Sequence, residues 1–458
     1  MIENDAFKLL LINLFHLNPD DIANILCTTF NKMMVLVVTL TDKHQACPYC
    51  GFTAPKIKEY VTKEITHSAL TTQKCIIKYR ARRYKCSCCG KTYYEFNPFV
   101  FKSQKISILT VHNILKDLKD FNETFTSVAR RYHVSPTSVS TIFDKHVDIG
   151  RNPLPEIINF DEVYAFKSEK SKYVCVLLDF KKQIPVDVLP NRKKEYLLNY
   201  FQKIPLEERK KVKYACSDMY EVYRDVVHKV FPSCCMLLDY FHLSQDFHRK
   251  MNEVRIKVMK GYKDNKASDE YYLLKKFNWL LFKNPEDEDK HGRLFDVERE
   301  RKYNSHFKSY MNYYDLRKKL LEINNDLTIC YSLKLELVDF YSKSTIDNAK
   351  VNLENLIRSC IDTNIDEMIA FSNNLINWKQ EIINSFTIVG TEYKVEADKG
   401  QVVVCNKKVN NAIIENRNKI IKCIKNNANG YTNWSRFRNR VMYVLDPNAT
   451  FSLEPREK

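Results

Sequence analysis

The stretch from Glu156 to His242 constrains the fold more than any other part of this chain. Ile157-Ile158-Asn159-Phe160-Asp161-Glu162 reads as a strand carrying a carboxylate, with Lys172 to Asp179 and Gln183 to Leu189 as two further apolar runs. The breaks between them, a charged tip at Lys167 to Lys170 and a short turn around Lys181-Lys182, predict an antiparallel meander. After a helical stretch (Lys194 to Phe201), Val212 to Cys216 is a fourth run, ending at Ser217-Asp218. Cys234 to Leu238 is a fifth and leads into Asp239-Tyr240-Phe241-His242. A meander followed by alternating helices and strands predicts a mixed sheet with acids at or near its strand ends. Carboxylates gathered there suit Mg²⁺ and phosphoryl transfer.

The charge balance points the same way. The chain has 458 residues, room for two to four domains, and 73 Lys+Arg against 56 Asp+Glu give it a net charge of +17. Such a balance favours a polyanionic partner, of which nucleic acid is the commonest. With 8 glycines and neither a Gly-x-Gly-x-x-Gly nor a complete Gly-x-x-x-x-Gly-Lys-Ser/Thr motif, a glycine-rich nucleotide cradle is not expected. No apolar run reaches the ~18 residues of a membrane helix. Glu3 and Asp5 precede the first apolar stretch, so neither a signal peptide nor a membrane is expected. The fifteen cysteines are then expected to be mostly reduced thiols in a cytoplasm.

Four of those cysteines have metal spacing. Cys47-Pro-Tyr-Cys50-Gly51 and Cys86-Ser-Cys-Cys89-Gly90 are each Cys-x-x-Cys followed by glycine, the form of a zinc knuckle. Cys47, Cys50, Cys86 and Cys89 complete one tetrahedral zinc site; Cys88 is a spectator and His67 a weaker candidate ligand. Ahead of them, residues 5 to 30 read as two helices split at Asn18-Pro19. Phe7, Leu10, Leu11 and Leu14 face inward on the first, and Ile22, Ile25 and Leu26 on the second; Met33 to Leu40 is β-like. Between Lys56 and Lys91, ten Lys/Arg meet only Glu59 and Glu64. Lys78, Arg80 and Arg82 alternate with Tyr79 and Ala81 on one strand face, with Arg83 and Lys85 on the other. That pattern suits DNA phosphates, and it equally suits a solvated edge strand guarded by charge.

Residues 106 to 146 read as three helices. Ile108, Val111, Leu115 and Leu118 recur at helical spacing, then Phe125, Val128, Ala129 and Tyr132, and after Ser135-Pro136 come Val139, Ile142 and Phe143. This is helix-turn-helix spacing, in which Thr137, Ser138 and Thr141 face the DNA groove and Arg130 and Arg131 the phosphates. A plain three-helix packing module has the same pattern. Pro153 and Pro155 mark a linker. From about Leu243 to Phe386 the chain is mainly helical and shows no ligand cluster. The helix that follows puts Ile413, Ile420, Ile421 and Ile424 on one stripe and Glu415, Lys419 and Lys422 opposite, a spacing that a solvated Glu-Lys pair also produces.

The ordered set of these motifs resembles the ISL3 family of bacterial insertion-sequence transposases. The resemblance runs the length of the chain: the cysteine pairs, Arg82-Arg83-Tyr84-x-Cys86, the helix-turn-helix, Asp161-Glu-x-Tyr-Ala-Phe166, Ser217-Asp218-Met219, Asp239-Tyr-Phe-His242, Asn411-Ala-Ile-Ile-Glu415-x-x-Asn-Lys419 and Gly430-Tyr-x-Asn-Trp-Ser-Arg-Phe-Arg438. Ala412 and Asn416 stand where the family commonly has glycine. The resemblance implies an α/β catalytic core of ribonuclease-H-like type, a mixed five-stranded sheet interrupted by a helical insertion. It implies a DDE triad of Asp161, Asp218 and Glu415 holding two Mg²⁺ (or Mn²⁺) ions. Asp179 and Asp239 rank below Asp218; Asp239 and His242 stand as supporting residues, and Lys419 and Lys422 as phosphate contacts.

The domains expected are 1–100, N-terminal helix and zinc site; 101–150, helix-turn-helix; 151–242 and 401–458, the two parts of the catalytic domain; and 243–400, the insertion. The implied function is DNA transposition. The protein would bind the terminal inverted repeats of its element and target DNA, cut, and join 3′-hydroxyl ends, as a homodimer or larger assembly on double-stranded DNA. The alternative is a DNA-binding regulator or a domesticated, catalytically silent derivative.

Overall fold

The computed structural model describes residues 2–43, 45–101, 104–166, 171–395 and 402–456. The charged tip at Lys167 to Lys170 lies outside them. No helix among the described residues is long and apolar enough to cross a membrane.

The chain opens with helix α1 (Ile2–Leu14), which Asn18 and Pro19 separate from strand β1 (Ile22–Phe30). This corrects the expectation of a second helix. The register between β1 and β2 (Met33–Leu40) slips between Ile22 and Asn24, so Ile22 and Ile25 both turn inward at a spacing that imitates a helix. Asn31 and Lys32, both at positive φ, make the two-residue hairpin turn. On α1 the buried face runs through Leu11, Ile12 and Phe15, while Phe7, Leu10 and Leu14 are exposed. Strands β3 (Lys56–Thr66), β4 (Cys75–Lys85) and β5 (Thr92–Tyr94) complete this sheet, in the order β1-β2-β4-β3 with β5 also on β4. The basic strand β4 is therefore internal and not a guarded edge. Its Ile77, Tyr79 and Ala81 pack with Leu36 beneath α1.

Helices α2 (Ile108–Asp117), α3 (Phe125–Arg131) and α4 (Pro136–His146) start at side-chain caps from Ser107, Thr124 and Ser135. Their core of Val111, Leu115, Val128, Val139 and Phe143 is completed from the far end of the chain by Tyr443.

The central sheet has the order β10-β9-β6-β7-β8. Strands β6 (Ile157–Val163), β7 (Val174–Asp179) and β8 (Ile184–Leu189) form the expected antiparallel meander. After helix α5 (Lys194–Gln202) and the single turn α6 (Leu206–Arg209), β9 (Tyr214–Ser217) runs parallel to β6. Helix α7 (Glu221–Val230) then returns the chain to β10 (Cys235–Leu238), parallel to β9. This mixed five-stranded sheet is consistent with a ribonuclease-H-like core. Phe160, Leu177 and Ala215 face α5 and α7 on one side. Val163, Val176 and Val188 face the two last helices of the chain, Ala412–Asn427 and Trp434–Leu445, on the other.

Between β10 and those helices lies the helical insertion. It comprises α8 (Tyr240–Lys260), α9 (Asp269–Lys276), the small hairpins β11–β12 (Glu288–Asp289, Gly292–Arg293) and β13–β14 (Lys302–Asn304, Ser309–Met311), and α10 (Tyr313–Glu322). It continues through α11 (Asn325–Lys343), α12 (Ala349–Asp362), α13 (Asp366–Asn377) and α14 (Lys379–Asn384). Phe247, Leu281, Leu337, Leu353 and Phe371 give it its own core, into which the aromatic run at 271–282 packs. A hairpin that the sequence did not announce, β15–β16 (Ile388–Val395, Val402–Lys408), follows α14. Helix α15 (Ala412–Asn427) buries Ile414, Ile421 and Ile424, with Ile413 and Ile420 at the margin. Helix α16 (Trp434–Leu445) follows, and its buried Arg440 donates to the carbonyls of Asp120 and Glu123 at 2.8 and 2.7 Å. The three-helix unit is thus bolted to the C-terminal segment.

Candidate functional site

Parallel pairing decides where the acids meet. Asn159 pairs with Cys216 and Leu238 with Ser217, so continuing each register puts Asp161, Asp218 and Asp239 side by side. They stand at the carboxyl ends of three adjacent strands, roughly 4.8 Å apart from strand to strand. Asp161 turns toward α15 and Glu162 to the opposite face, as alternation requires; there Glu162 is ion-paired with Arg192 and accepts from the Tyr223 hydroxyl. Asp179 accepts from the backbone N–H groups of Lys181 and Lys182 and closes the β7–β8 turn, a structural acid.

Two further ligand types come in from helices. His242 lies in the first turn of α8 and Glu415 in the first turn of α15. The His242 Nε2 is 3.8 Å from Asp239 Oδ2 and 3.9 Å from Glu415 Oε1, and the ligand atoms of the three residues lie within 4.8 Å of one another. These gaps are too long for hydrogen bonds and suit two atoms bound at about 2.1 Å to one ion. Asp218 Oδ1, Asp239 Oδ2 and His242 Nε2 are buried with no hydrogen-bond partner. Buried polar atoms are normally satisfied, so three orphaned metal-ligating atoms in one place fit a cation. Asp239 and His242 therefore stand closer to Glu415 than their supporting rank in the sequence suggested.

Electrostatics agree. Burial pushes the Asp161 carboxyl up to about 7, helped by Asp218 and opposed by the Glu162 N–H. Burial pushes Asp218 up to about 6, with Glu162 adding to the shift, and raises Asp239 as well. Carboxyls whose folded pKa exceeds the free value bind more protons folded than unfolded, so this contribution to stability is present at low pH and lost as pH rises toward 7. A divalent cation competes with those protons. The rise in Tm on adding Mg²⁺ is therefore expected to be larger at about pH 8 than at about pH 5.5. Equal rises at both would count against these carboxyls as ligands.

Buried asparagines hold the site together, and sequence reasoning missed their part in it. Asn159 Nδ2 donates to Asn411 Oδ1 at 2.6 Å, and Asn411 donates from Nδ2 to the Phe160 carbonyl at 3.2 Å and from its backbone N to Asp239 Oδ1 at 3.4 Å. Asn418 Nδ2 donates to Asp161 Oδ2 at 2.7 Å. Asn411, Glu415, Asn418 and Lys422 recur at i, i+4, i+7 and i+11, a polar stripe that could have flagged them. Lys419 and Lys422 are exposed on α15.

The family model for ISL3-type DDE transposases matches residues 158–397, more than half of the chain. The chain belongs to the ISL3 transposase family. The match includes Asp161, Asp218, Asp239 and His242 and ends before Glu415. Among curated proteins, the chain is 19% identical over 411 residues to the transposase for insertion sequence element IS1001 of Bordetella parapertussis, covering 89% of this chain and 91% of that protein.

Away from the acids, this transposase brings its four spaced cysteines together. Cys47 Sγ is 3.7 Å from Cys89 Sγ and Cys50 Sγ 3.5 Å from Cys86 Sγ. Thiolates bound at about 2.3 Å in a tetrahedron lie about 3.8 Å apart, so the cluster is the right size for a metal. Gly51 and Gly90, at φ +75° and +71°, make the left-handed turns the motif requires. Cys88 is exposed and outside the cluster. His67 is buried against Ser107 and the Phe15 carbonyl, at 2.9 and 2.8 Å, and is no part of it.

The expected DNA-facing residues divide into engaged and open ones. Arg82 is ion-paired with buried Glu95 at 2.7 Å and donates to the Leu40 carbonyl, and Arg131 is held between Asp117 and Glu123. Arg83 pairs with Glu59 at 2.7 Å and Lys78 with Glu64 at 2.8 Å. Arg80 lies over the Tyr60 ring and, like Arg130, is exposed. Thr137, Ser138 and Thr141 line a cleft of about 280 Å³ with Lys105 and Lys145.

Proposed function

We propose that this transposase binds the terminal inverted repeats of its own insertion sequence, cuts there in the presence of Mg²⁺ or Mn²⁺, and joins the freed 3′-hydroxyl to target DNA. The observation that carries this reading is the convergence of unpartnered carboxylate and imidazole atoms at the carboxyl edge of the sheet. Asp161, Asp218 and Glu415 are the catalytic ligands, and Asp239 and His242 complete the set that would hold two divalent ions. Bound there, the metal supplies an activated hydroxyl nucleophile and a stabilised leaving oxygen. Asn418 keeps Asp161 aimed, and Lys419 and Lys422 hold the DNA backbone beside it.

The cysteine cluster holds one structural zinc. Residues 106–146 act as a helix-turn-helix, with Thr137, Ser138 and Thr141 reading base edges and Arg80 and Arg130 on phosphates. Arg82 and Arg131, both already engaged, serve to shape the modules. Regions 1–100, 101–150, 151–242 with 401–458, and 243–400 serve as zinc, DNA-reading, catalytic and insertion units of a cytoplasmic protein that pairs two ends as a dimer or larger assembly.

The test is a duplex taken from the DNA flanking the gene, incubated with the full chain and Mg²⁺. Nicking at the element end, absent with a scrambled duplex, is expected. Specific binding with no cutting in Mg²⁺ or Mn²⁺ would make the protein a regulator.

A further inference from the structure

Beside the acids lies an aromatic feature that metal chemistry does not use. Val163 and Val174 form the last pair of the β6–β7 ladder, and Tyr164 and Tyr173 face each other just beyond it. Their ring centroids are 5.7 Å apart at 72°, yet the residues remain 49% and 40% exposed. A cation braces each ring. The Arg192 guanidinium sits 4.7 Å from the Tyr173 centroid and 4.6 Å from that of Tyr220, held by its ion pair with Glu162. The Lys425 ammonium sits 4.9 Å from the Tyr164 centroid.

A cross-strand aromatic pair steadies a hairpin by itself. It does not require a fixed cation at either end, nor a place directly beyond Asp161 on the same strand. At about 3.3 Å per residue, Tyr164 lies roughly 10 Å along the strand from Asp161, about three nucleotide steps of 3.4 Å. Exposed rings flanked by cations are what a nucleic-acid strand requires: flat faces for bases and charge for phosphates. Within an intact duplex every base face is covered by its neighbours. Only a terminal, nicked or unpaired base offers a face to stack on.

We propose that Tyr164 and Tyr173 form a stacking ledge for an unpaired base about three nucleotides from the scissile phosphate, with Lys425 on the adjoining phosphate and Arg192 fixing the Tyr173 ring. The inference rests on the transposase reading and deepens it: the substrate strand is frayed at the site before it is cut.

The experiment uses the full chain without divalent metal, so that no DNA is cut. It compares a fully paired element-end duplex with one mismatched about three base pairs to either side of the scissile phosphate. The expected result is tighter binding of the mismatched duplex, by about 5- to 100-fold. Tyr164→Phe and Tyr173→Phe keep that preference. Tyr173→Leu, which keeps bulk in the hairpin but lacks a flat ring, reduces it at least about 5-fold. A 5-iodouracil at the unpaired position, irradiated, should crosslink to Tyr164 or Tyr173. Equal binding of the two duplexes, a preference unchanged in Tyr173→Leu, or crosslinks only elsewhere would overturn the ledge. A chain that shows the preference but never cuts in Mg²⁺ keeps the ledge and loses the transposase reading. One that cuts paired ends without any preference loses the ledge alone.

Discussion

Asp161→Asn, Asp218→Asn and Glu415→Gln are each expected to abolish Mg²⁺-dependent strand cleavage, with a loss of at least about 1,000-fold, while element-end binding survives. Each change keeps the side-chain volume and removes one negative charge from a site where the charge developing on the transferring phosphoryl group must be stabilised. Affinity for DNA should hardly change, because Arg80, Arg130, Thr137 and Thr141, the residues proposed to recognise the element end, lie on other elements. Asp239→Asn joins this severe class, since Asp239 shares its cluster with His242 and Glu415 and leaves Oδ2 unpartnered. Asn418→Ala belongs to a milder one. It removes a hydrogen bond to Asp161 and not a ligand, so the Mg²⁺ concentration for half-maximal cleavage should rise about 10- to 100-fold with cleavage recovered at high metal. A nicking assay over a Mg²⁺ titration, with a gel-shift on the same duplex, separates the outcomes. Near-normal cleavage by any of the four acid variants would remove that residue from the metal site.

How far the site could be read from sequence depended on what each residue must do locally. The meander was legible because β6, β7 and β8 are short apolar runs between turns, and Asp161 and Asp218 because an acid at the end of such a run interrupts an otherwise apolar strand. The place of Asp239 beside Glu415 was not legible, for a different reason. Its partnership with Glu415 depends on the parallel register of β9 and β10 and on the angle at which α8 and α15 enter, neither of which is local. Asn411 and Asn418 stood in the family motif without a role of their own, because asparagine carries no sign of burial. Only the acids around them show that their amides are used. Ile22 and Ile25 misled in the other direction, a bulge having given a strand the spacing of a helix turn. The charges of Arg82 and Arg131 were plain, but their buried or flanking carboxylate partners come from separate elements, so these ion pairs were not legible.

The second large effect concerns the cysteine cluster. One zinc per chain is expected, and Cys→Ser at Cys47, Cys50, Cys86 or Cys89 should release it and melt the surrounding loops. Apparent zinc-binding free energies of about 10–16 kcal/mol are folding free energy in small zinc modules, and little here replaces it. Among the described residues the buried apolar cluster there is Cys47, Tyr84, Cys86 and Tyr93, two of which belong to the cysteine cluster itself. The damage should stay local. Strands β1, β2 and the first half of β4 rest on a separate core with α1, built on Leu36 and Ile77, so they should keep their hydrogen-exchange protection. Residues 45–95 outside that core should lose theirs. Cys88→Ser should keep the metal and the protection pattern, because Cys88 stands outside the cluster. Metal analysis paired with hydrogen exchange decides the matter. Zinc retained after Cys50→Ser, or lost after Cys88→Ser, would mean that a different set of atoms holds it.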